Sequence, residues 1–305
     1  MYITNKKNYP KIMVDTIKQS LDRYSRGDAD ISVTELIGSP LARILKAKHG
    51  HELEVDVDAL YFMFYGNVAH KVMECLVSDS ILYKEHRMFL EVKGKKISGA
   101  LDIVYKESGK LRLDDVKFTT KSVADKPIKK AWERQANLYR YMLYRTENVK
   151  VNELGIIALY RNSTMYDSKC ARLPVKMFTI ERMEEYLEKQ IAFHKLCESE
   201  LIAQIPECTP EDRWHEPEKY AVMPKPGAKK SLKNYDTREM AEQRVDREKA
   251  KHPEVFLEVR SAKNKRCEEA CPMNKFCWWY QDIKLGFITD SYTGSEPERR
   301  KIIED

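Results

Sequence analysis

No apolar run in this chain approaches the ~20 residues needed to cross a bilayer, so a spanning helix is excluded on composition. The first residues, MYITNKKNYPKIMVD, lack the apolar stretch of a secretory leader. An intracellular, cytoplasmic protein is therefore expected. A disulfide scaffold is not: the seven cysteines are odd in number, in a chain of 305 residues without a leader. Internal repeats and low-complexity tracts are absent too, which excludes solenoid and linker architectures.

Hydrophobic residues make up 42% of the chain, enough for a sizeable core, and the length fits one large domain or a domain plus a small module. The net charge of +6 suits a polyanionic partner but is shared by many ordinary enzymes. Periodicity predicts helices over 10–26, over 32–48 (Ser32 as N-cap, with Glu35 completing a capping box), and over 59–78 around His70. Strands are expected at 87–93, 96–105 and 111–118. A helix at 129–146, strands at 153–160 and 174–180, and a long helix at 181–204 follow. From Pro206 the prolines at 210, 217, 224 and 226 rule out one continuous helix. A charged helix at 236–252 and a strand at 254–260 lead to the stretch RCEEACPMNKFCWWY.

The segment GALDIVYKESGKLRLDDVKFTT, 99–120, sets carboxylates among strand-forming apolar residues. A two-residue turn at Ser108-Gly109 makes it a hairpin in which Glu107 faces Lys110 and Asp102 falls opposite Asp115. Directly opposite residues share a face with Cβ atoms roughly 4.5–5.5 Å apart, so the two carboxylates repel unless a cation joins them. Lys117, two residues after Asp115, shares that face; Asp114 points to the other. Asp-x-Lys alone is weak, since Asp167–Lys169 and Asp282–Lys284 repeat it. The alternative is a solvent-facing strand pair with scattered charges. Gln135 and Tyr139, four apart in WERQANLYRYMLY, share a helical face, as the rim and core of an amphipathic helix also would. His70, alone on an apolar helix, reads by itself as a core histidine.

GNVAH, GALDIVY, LDDVKFTT and RQANLY, in this order, resemble the successive motifs of the PD-(D/E)XK nuclease superfamily, in its RecB-like branch of CRISPR-associated and phage exonucleases. The resemblance covers about residues 32–160. It implies an α/β restriction-endonuclease-like core, a mixed central sheet flanked by helices. It implies metal binding by His70, Asp102, Asp115 and Val116, and catalytic roles for Asp102, Asp115, Lys117, Gln135 and Tyr139. The expected cation is Mg²⁺ or Mn²⁺. The expected partner is DNA, at ends or in single strands, cut by an exonuclease of phage or mobile-element recombination, in the host cytoplasm and beside possible recombination proteins. A non-catalytic DNA-binding module and an RNA-processing nuclease on the same fold are the alternatives.

Cys267, Cys271 and Cys277 have the spacing C-x3-C-x5-C, a metal-binding density of thiols. Cys208, in PECTPEDRW, opens the same Pro-rich module and is the fourth candidate. Cys75, Cys170 and Cys197 read as small buried hydrophobes. The nuclease resemblance implies a 4Fe–4S cluster, although its early Cys-Pro is GSP here, with Ser39, and its late spacing is usually x2; four thiolates also suit Zn²⁺. The domains expected are a nuclease domain at 1–205, a small C-terminal cysteine-ligated module at 206–282 and a polar tail at 283–305. Lys225, Lys229, Lys230 and Lys233, with Tyr220 and Tyr235, form either a solvated loop or a nucleic-acid contact.

Overall fold

The structure is a computed structural model, and it describes residues 1–21 and 26–288. The chain divides into two compact units, the first taking Met1–Pro206 and the second beginning at Glu207. Among the described residues no helix is long and apolar enough to cross a membrane.

The first unit opens with β1 (Tyr2–Thr4) and α1 (Lys11–Leu21), whose expected continuation over 22–25 lies outside the described residues. Then come β2 (Ile31–Ser32), α2 (Val33–Leu36) and α3 (Pro40–His49). One helix was expected over 32–48, and two form. Ser32 caps α2 in a full capping box with Glu35, as expected. Pro40 then opens a new helix, because proline excludes the residue before it from helical geometry and offers no N–H to continue the old one.

β3 (Glu54–Asp56) precedes α4 (Val57–Glu74), capped by the Asp56 carboxylate. Three long strands follow: β4 (Ile81–Val92), β5 (Lys95–Glu107) and β6 (Lys110–Thr119). β4 starts six residues before the strand expected at 87. The short α5 (Lys121–Ala124) leads to α6 (Lys130–Glu147) and β7 (Glu153–Tyr160). β8 (Cys170–Val175) lies earlier than the strand expected at 174–180, and α7 (Ile180–Ser199) follows it.

β2 and β4 to β8 build one mixed sheet, while β1 and β3 pair in parallel by themselves. β5 is antiparallel to β4 along nearly its whole length and antiparallel to β6 only from Ile103↔Asp114 to Glu107↔Lys110. The turn between them has Ser108 and Gly109 both at positive φ, the geometry of a two-residue hairpin. Nearer its start, at Ile97 and Ser98, β5 pairs in parallel with β2 instead. β6 runs parallel to β7, and β8 is antiparallel to β7 at the far edge. Leu101, Val104, Leu113 and Ile156 of the sheet join Leu138 and Met142 of α6 and Leu187 and Ile191 of α7 in one core.

The second unit holds β9 (His215–Glu216), β10 (Lys219–Met223), β11 (Lys233–Tyr235), α8 (Arg238–Glu248), β12 (Phe256–Arg260), β13 (Lys263–Asn264) and α9 (Trp278–Leu285). β10 sits between β11 and β12, and α8 packs on them through Ala241. The lysine-rich stretch is the exposed connection from β10 to β11, with Tyr220 paired to Tyr235. α9 carries ordered structure past 282, into the expected tail; residues 289–305 lie outside the described ones.

The turned-away carboxylate, Asp114, is fully buried and fully satisfied. Arg172 donates to both of its oxygens at 2.8 and 2.9 Å, and the Tyr105 hydroxyl donates at 2.7 Å. Gly155, its neighbour on β7, leaves the room: a Cβ there would stand 2.4 Å from Asp114 Oδ1 and 2.9 Å from the Arg172 guanidinium. Gly155→Ala is therefore expected to lower stability by about 1–3 kcal/mol, the usual cost of overpacking. Urea unfolding checks it, and a wild-type midpoint would contradict this account of the Asp114–Arg172 pair.

Candidate functional site

Beyond Ile103↔Asp114 the β5–β6 ladder opens, and the next positions are Asp102 and Asp115. There the Asp102 side chain replaces a backbone acceptor: the Val116 N–H donates to its Oδ2 at 2.5 Å. Val116 thus reaches the site through its backbone, while its side chain is buried. Asp102 and Asp115 are both buried. Burial first, and the Asp115 charge second, push the Asp102 carboxyl up to about 7, against the opposing pull of His70, Lys117 and the Val116 N–H.

His70, half-buried on α4, turns Nδ1 into this site. It lies 3.1 Å from Glu85 Oε1 and 3.5 Å from Asp102 Oδ1. The Glu85 hydrogen bond, ahead of the Asp102 charge, holds the imidazole above its usual range despite burial. The core-histidine alternative for this residue is not what the geometry shows.

Sequence reasoning missed Glu85. It lies on β4 between Lys84, paired with Ile103, and His86, paired with Leu101, and so stands opposite Asp102. Starting the strand at 87 left it outside; continuing the alternation back through Tyr83 would have placed it. Its φ of +46° is in the left-handed region, where a side-chain-bearing residue costs on the order of 1 kcal/mol, and such residues gather at functional sites. One donor atom each from His70, Glu85 and Asp102 lie within 4.8 Å of one another.

Lys117 Nζ is 2.6 Å from Asp115 Oδ2 and donates to Gln135 Oε1 at 3.0 Å. Gln135 Nε2 in turn donates to Tyr139 Oη at 2.9 Å. Burial, then the Asp115 charge, raise the Tyr139 phenol far above its usual range, so it stays neutral. Gly99 on β5 admits this ring: a Cβ there would sit 3.1 Å from it. All of these side chains line one cleft of about 500 Å³, with Arg26, Lys46, Lys71 and Arg87 around it.

The donor set fits a hard divalent cation. Carboxylate oxygens suit Mg²⁺ or Mn²⁺, and an imidazole is tolerated by Mn²⁺. Asp115 Oδ2 is buried, with the Lys117 ammonium 2.6 Å away as its partner.

In the second unit Cys267 is buried, and its thiol is pushed up to about 12 by burial and then by the charges of Cys208, Cys271 and Cys277. Cys208, Cys271 and Cys277 thus all lie within electrostatic reach of Cys267. Cys277 is the N-cap of α9; burial raises its thiol while the backbone N–H groups of Tyr280 and Trp279 oppose the rise. Buried Arg213, another residue sequence reasoning did not name, stacks 3.8 Å over the Trp279 ring and donates to Cys208 O at 3.0 Å. Its charge favours the thiolates of Cys267 and Cys277. Of the other three cysteines only Cys197 is buried. Cys75 and Cys170 are exposed, contrary to expectation, because one closes α4 and the other starts the edge strand β8.

No family model matches the chain, and no curated protein matches it. Thirteen chains of solved structures do. The protein SSO0001 aligns over 60% of this chain and 86% of its own at 15% identity, with a TM-score of 0.44. A chain of Eubacterium rectale, provisionally assigned as an exonuclease, aligns over 68% and 89% at 13% identity, with a TM-score of 0.30. These likenesses are too remote to carry a function.

The Asp102 environment yields a stability prediction. Its carboxyl binds a proton more tightly folded than unfolded, so its contribution to stability falls as pH rises from about 4 to about 7. Asp102→Asn, which still accepts the Val116 N–H, is expected to stabilise the metal-free protein by on the order of 2 kcal/mol above pH 7, and to lose that advantage near pH 4. Thermal unfolding in chelator across this range is the check; a difference that does not vary with pH would contradict the frustrated pair.

Proposed function

We propose that this chain is a divalent-metal-dependent nuclease that hydrolyses DNA phosphodiesters on a restriction-endonuclease-like core. The observation that carries the reading is the run of carboxylates Glu85, Asp102 and Asp115 across adjacent strands, with His70 on one side and Lys117 on the other. The motif order that resembles RecB-like nucleases adds support, and Asp102, Asp115, Lys117, Gln135 and Tyr139 are the positions it would assign.

Glu85, Asp102, Asp115 and His70 would hold Mg²⁺ or Mn²⁺, which when bound polarises the phosphate and lowers the pKa of an attacking water. Lys117 is ion-paired with Asp115 and so is placed to donate to the phosphoryl oxygens as negative charge builds on them. Gln135 fixes Lys117 Nζ, and Tyr139 fixes Gln135, so the ammonium does not have to find its position during reaction. The buried carboxylates exclude an anionic strand while no cation is present, which makes substrate binding depend on the metal. Action from DNA ends, and a part in phage or mobile-element recombination, are finer readings that rest on the resemblance.

For the second unit we propose a 4Fe–4S cluster held by Cys208, Cys267, Cys271 and Cys277. The nuclease resemblance favours the cluster over Zn²⁺, and the N–H groups of Tyr280 and Trp279 at Cys277 and the charge of Arg213 suit thiolate ligands.

Asp115→Ala is expected to abolish Mn²⁺-dependent DNA cleavage and weaken Mn²⁺ binding by at least about tenfold while the chain stays folded; Gln135→Ala should lower cleavage by roughly 10–100-fold. Degradation of linear DNA with and without Mn²⁺, alongside an RNA of the same sequence, and titration calorimetry provide the readings. Wild-type cleavage by Asp115→Ala would sink the assignment. Protein purified without oxygen should be brown, with iron and sulfide in equal amounts; a colourless protein with one zinc would reject the cluster and keep the ligands.

A further inference from the structure

The cations around the cleft are not alike. Lys71 is held by Glu74 at 2.6 Å and Lys117 by Asp115 at 2.6 Å. Arg26 stands 3.7 Å from Glu35, and Lys46 lies within electrostatic reach of the same carboxylate. Arg87 differs. It is exposed on β4, and among the described residues no carboxylate pairs with it. An unpaired arginine out in solvent calls for no account, but this one lines the cleft together with Glu85, Asp102 and Asp115.

Its place follows from strand register. Arg87 pairs with Ala100 of β5. Arg87 is two residues past Glu85, and Ala100 is two before Asp102. By alternation the pair lies on the face of those two acids, one step of roughly 6.7 Å along the strands. Ala100 carries only a methyl group, so the floor of that step is open. Ser98, two residues further along β5 and on the same face, is 1% exposed, lines the cleft, and its Oγ has no hydrogen-bond partner. Native proteins keep few buried hydroxyls in that state, because each costs about 1–3 kcal/mol. The side chains beside the acids therefore offer donors and no acceptor. The charge of Arg87 is also felt at the buried Tyr139 phenol, which places the guanidinium over the cleft.

We propose that Arg87 binds the non-bridging oxygens of the reacting phosphoryl group above Ala100, which makes it a catalytic residue. The proposal rests on the nuclease reading and adds to it a second cation for the charge that builds on those oxygens. A planar fork of donors can meet two phosphoryl oxygens at once, which an ammonium cannot. Arg87 exchanges no proton and forms no bond. Its guanidinium stays charged while water replaces the leaving ester oxygen on phosphorus. Lys117 shares its charge with Asp115, whereas Arg87 has its donors available to the substrate.

The test uses the full chain, two substrates and one ligand. The substrates, with Mn²⁺, are linear DNA and thymidine 5′-(4-nitrophenyl phosphate), a lone diester with no strand attached. The ligand is thymidine 3′,5′-bisphosphate, titrated calorimetrically in Ca²⁺. Arg87→Ala should lower kcat about 100–1,000-fold on both substrates while KM for the small one changes less than about threefold. It should also weaken the bisphosphate by at least about tenfold. Guanidinium ion, at a concentration that leaves wild type unaffected, should restore Arg87→Ala by at least about tenfold and leave Asp115→Ala inactive. A merely structural contact would not be restored in this way.

An Arg87→Ala protein that binds DNA less tightly but turns over the small diester like wild type would overturn the proposal, since Arg87 would then hold a remote part of the strand. Wild-type rates on both substrates would overturn it too. The nuclease reading fails on a different result. If wild type cleaves neither substrate yet binds the bisphosphate through Arg87, the hydrolytic assignment falls and the phosphoryl contact stands. If wild type cleaves both and Arg87→Ala does so equally, Arg87 alone falls. A wild type that neither cleaves nor binds overturns both.

Discussion

Two carboxylates facing each other where a β-ladder opens set the terms for the rest of the first unit. Asp102 and Asp115 are directed together by the same hairpin register that pairs Glu107 with Lys110 at the turn. At about 5 Å and an effective dielectric near 20, two unit charges repel by about 3 kcal/mol. The fold meets this by bringing positive partners from outside the hairpin: His70 from α4 and Lys117 two residues along β6. Neither cancels it, because burial and the Asp115 charge still hold the Asp102 carboxyl up to about 7. A divalent cation would remove that cost.

Asp114 shows what the same fold does with a buried carboxylate that has only to be accommodated. One residue away, on the opposite face, it receives two charge-assisted hydrogen bonds from Arg172 and one from Tyr105, and Gly155 stands aside for them. The adjacent Asp114 and Asp115 are equally buried, but Asp114 has three hydrogen-bond donors on its oxygens while Asp115 has the one Lys117 ammonium at the cleft. That contrast separates a site from a structural ion pair more sharply than burial does, since incomplete pairing of a buried charge is retained against stability.

Period-two alternation made much of this readable from sequence. A strand's faces follow from parity, so Asp102, Asp115 and Lys117 fall together once Ser108-Gly109 is taken as the turn, and Asp114 falls away. Four-residue spacing on α6 likewise put Gln135 beside Tyr139. Glu85 was not legible because KEHR at 84–87 is too polar to be recognised as strand; β4 is held there by its pairing with β5, a tertiary effect. The break at Pro40 was signalled locally and outweighed by an apolar periodicity that runs through it. Arg213 was invisible because its partners, Trp279 and the Cys208 carbonyl, come from distant parts of the second unit. Thiol burial failed as a rule for Cys75 and Cys170 because it depends on where an element ends, which composition does not record.

The most direct measurement of the central claim is a crystal structure of the full chain grown with Mn²⁺, with anomalous data collected at the manganese edge. The account predicts one strong peak bounded by His70, Glu85, Asp102 and Asp115, at roughly 2.0–2.4 Å from the ligating oxygens. A protein saturated with Mn²⁺ whose peaks lie elsewhere, with His70 and Asp102 still in direct contact, would contradict it.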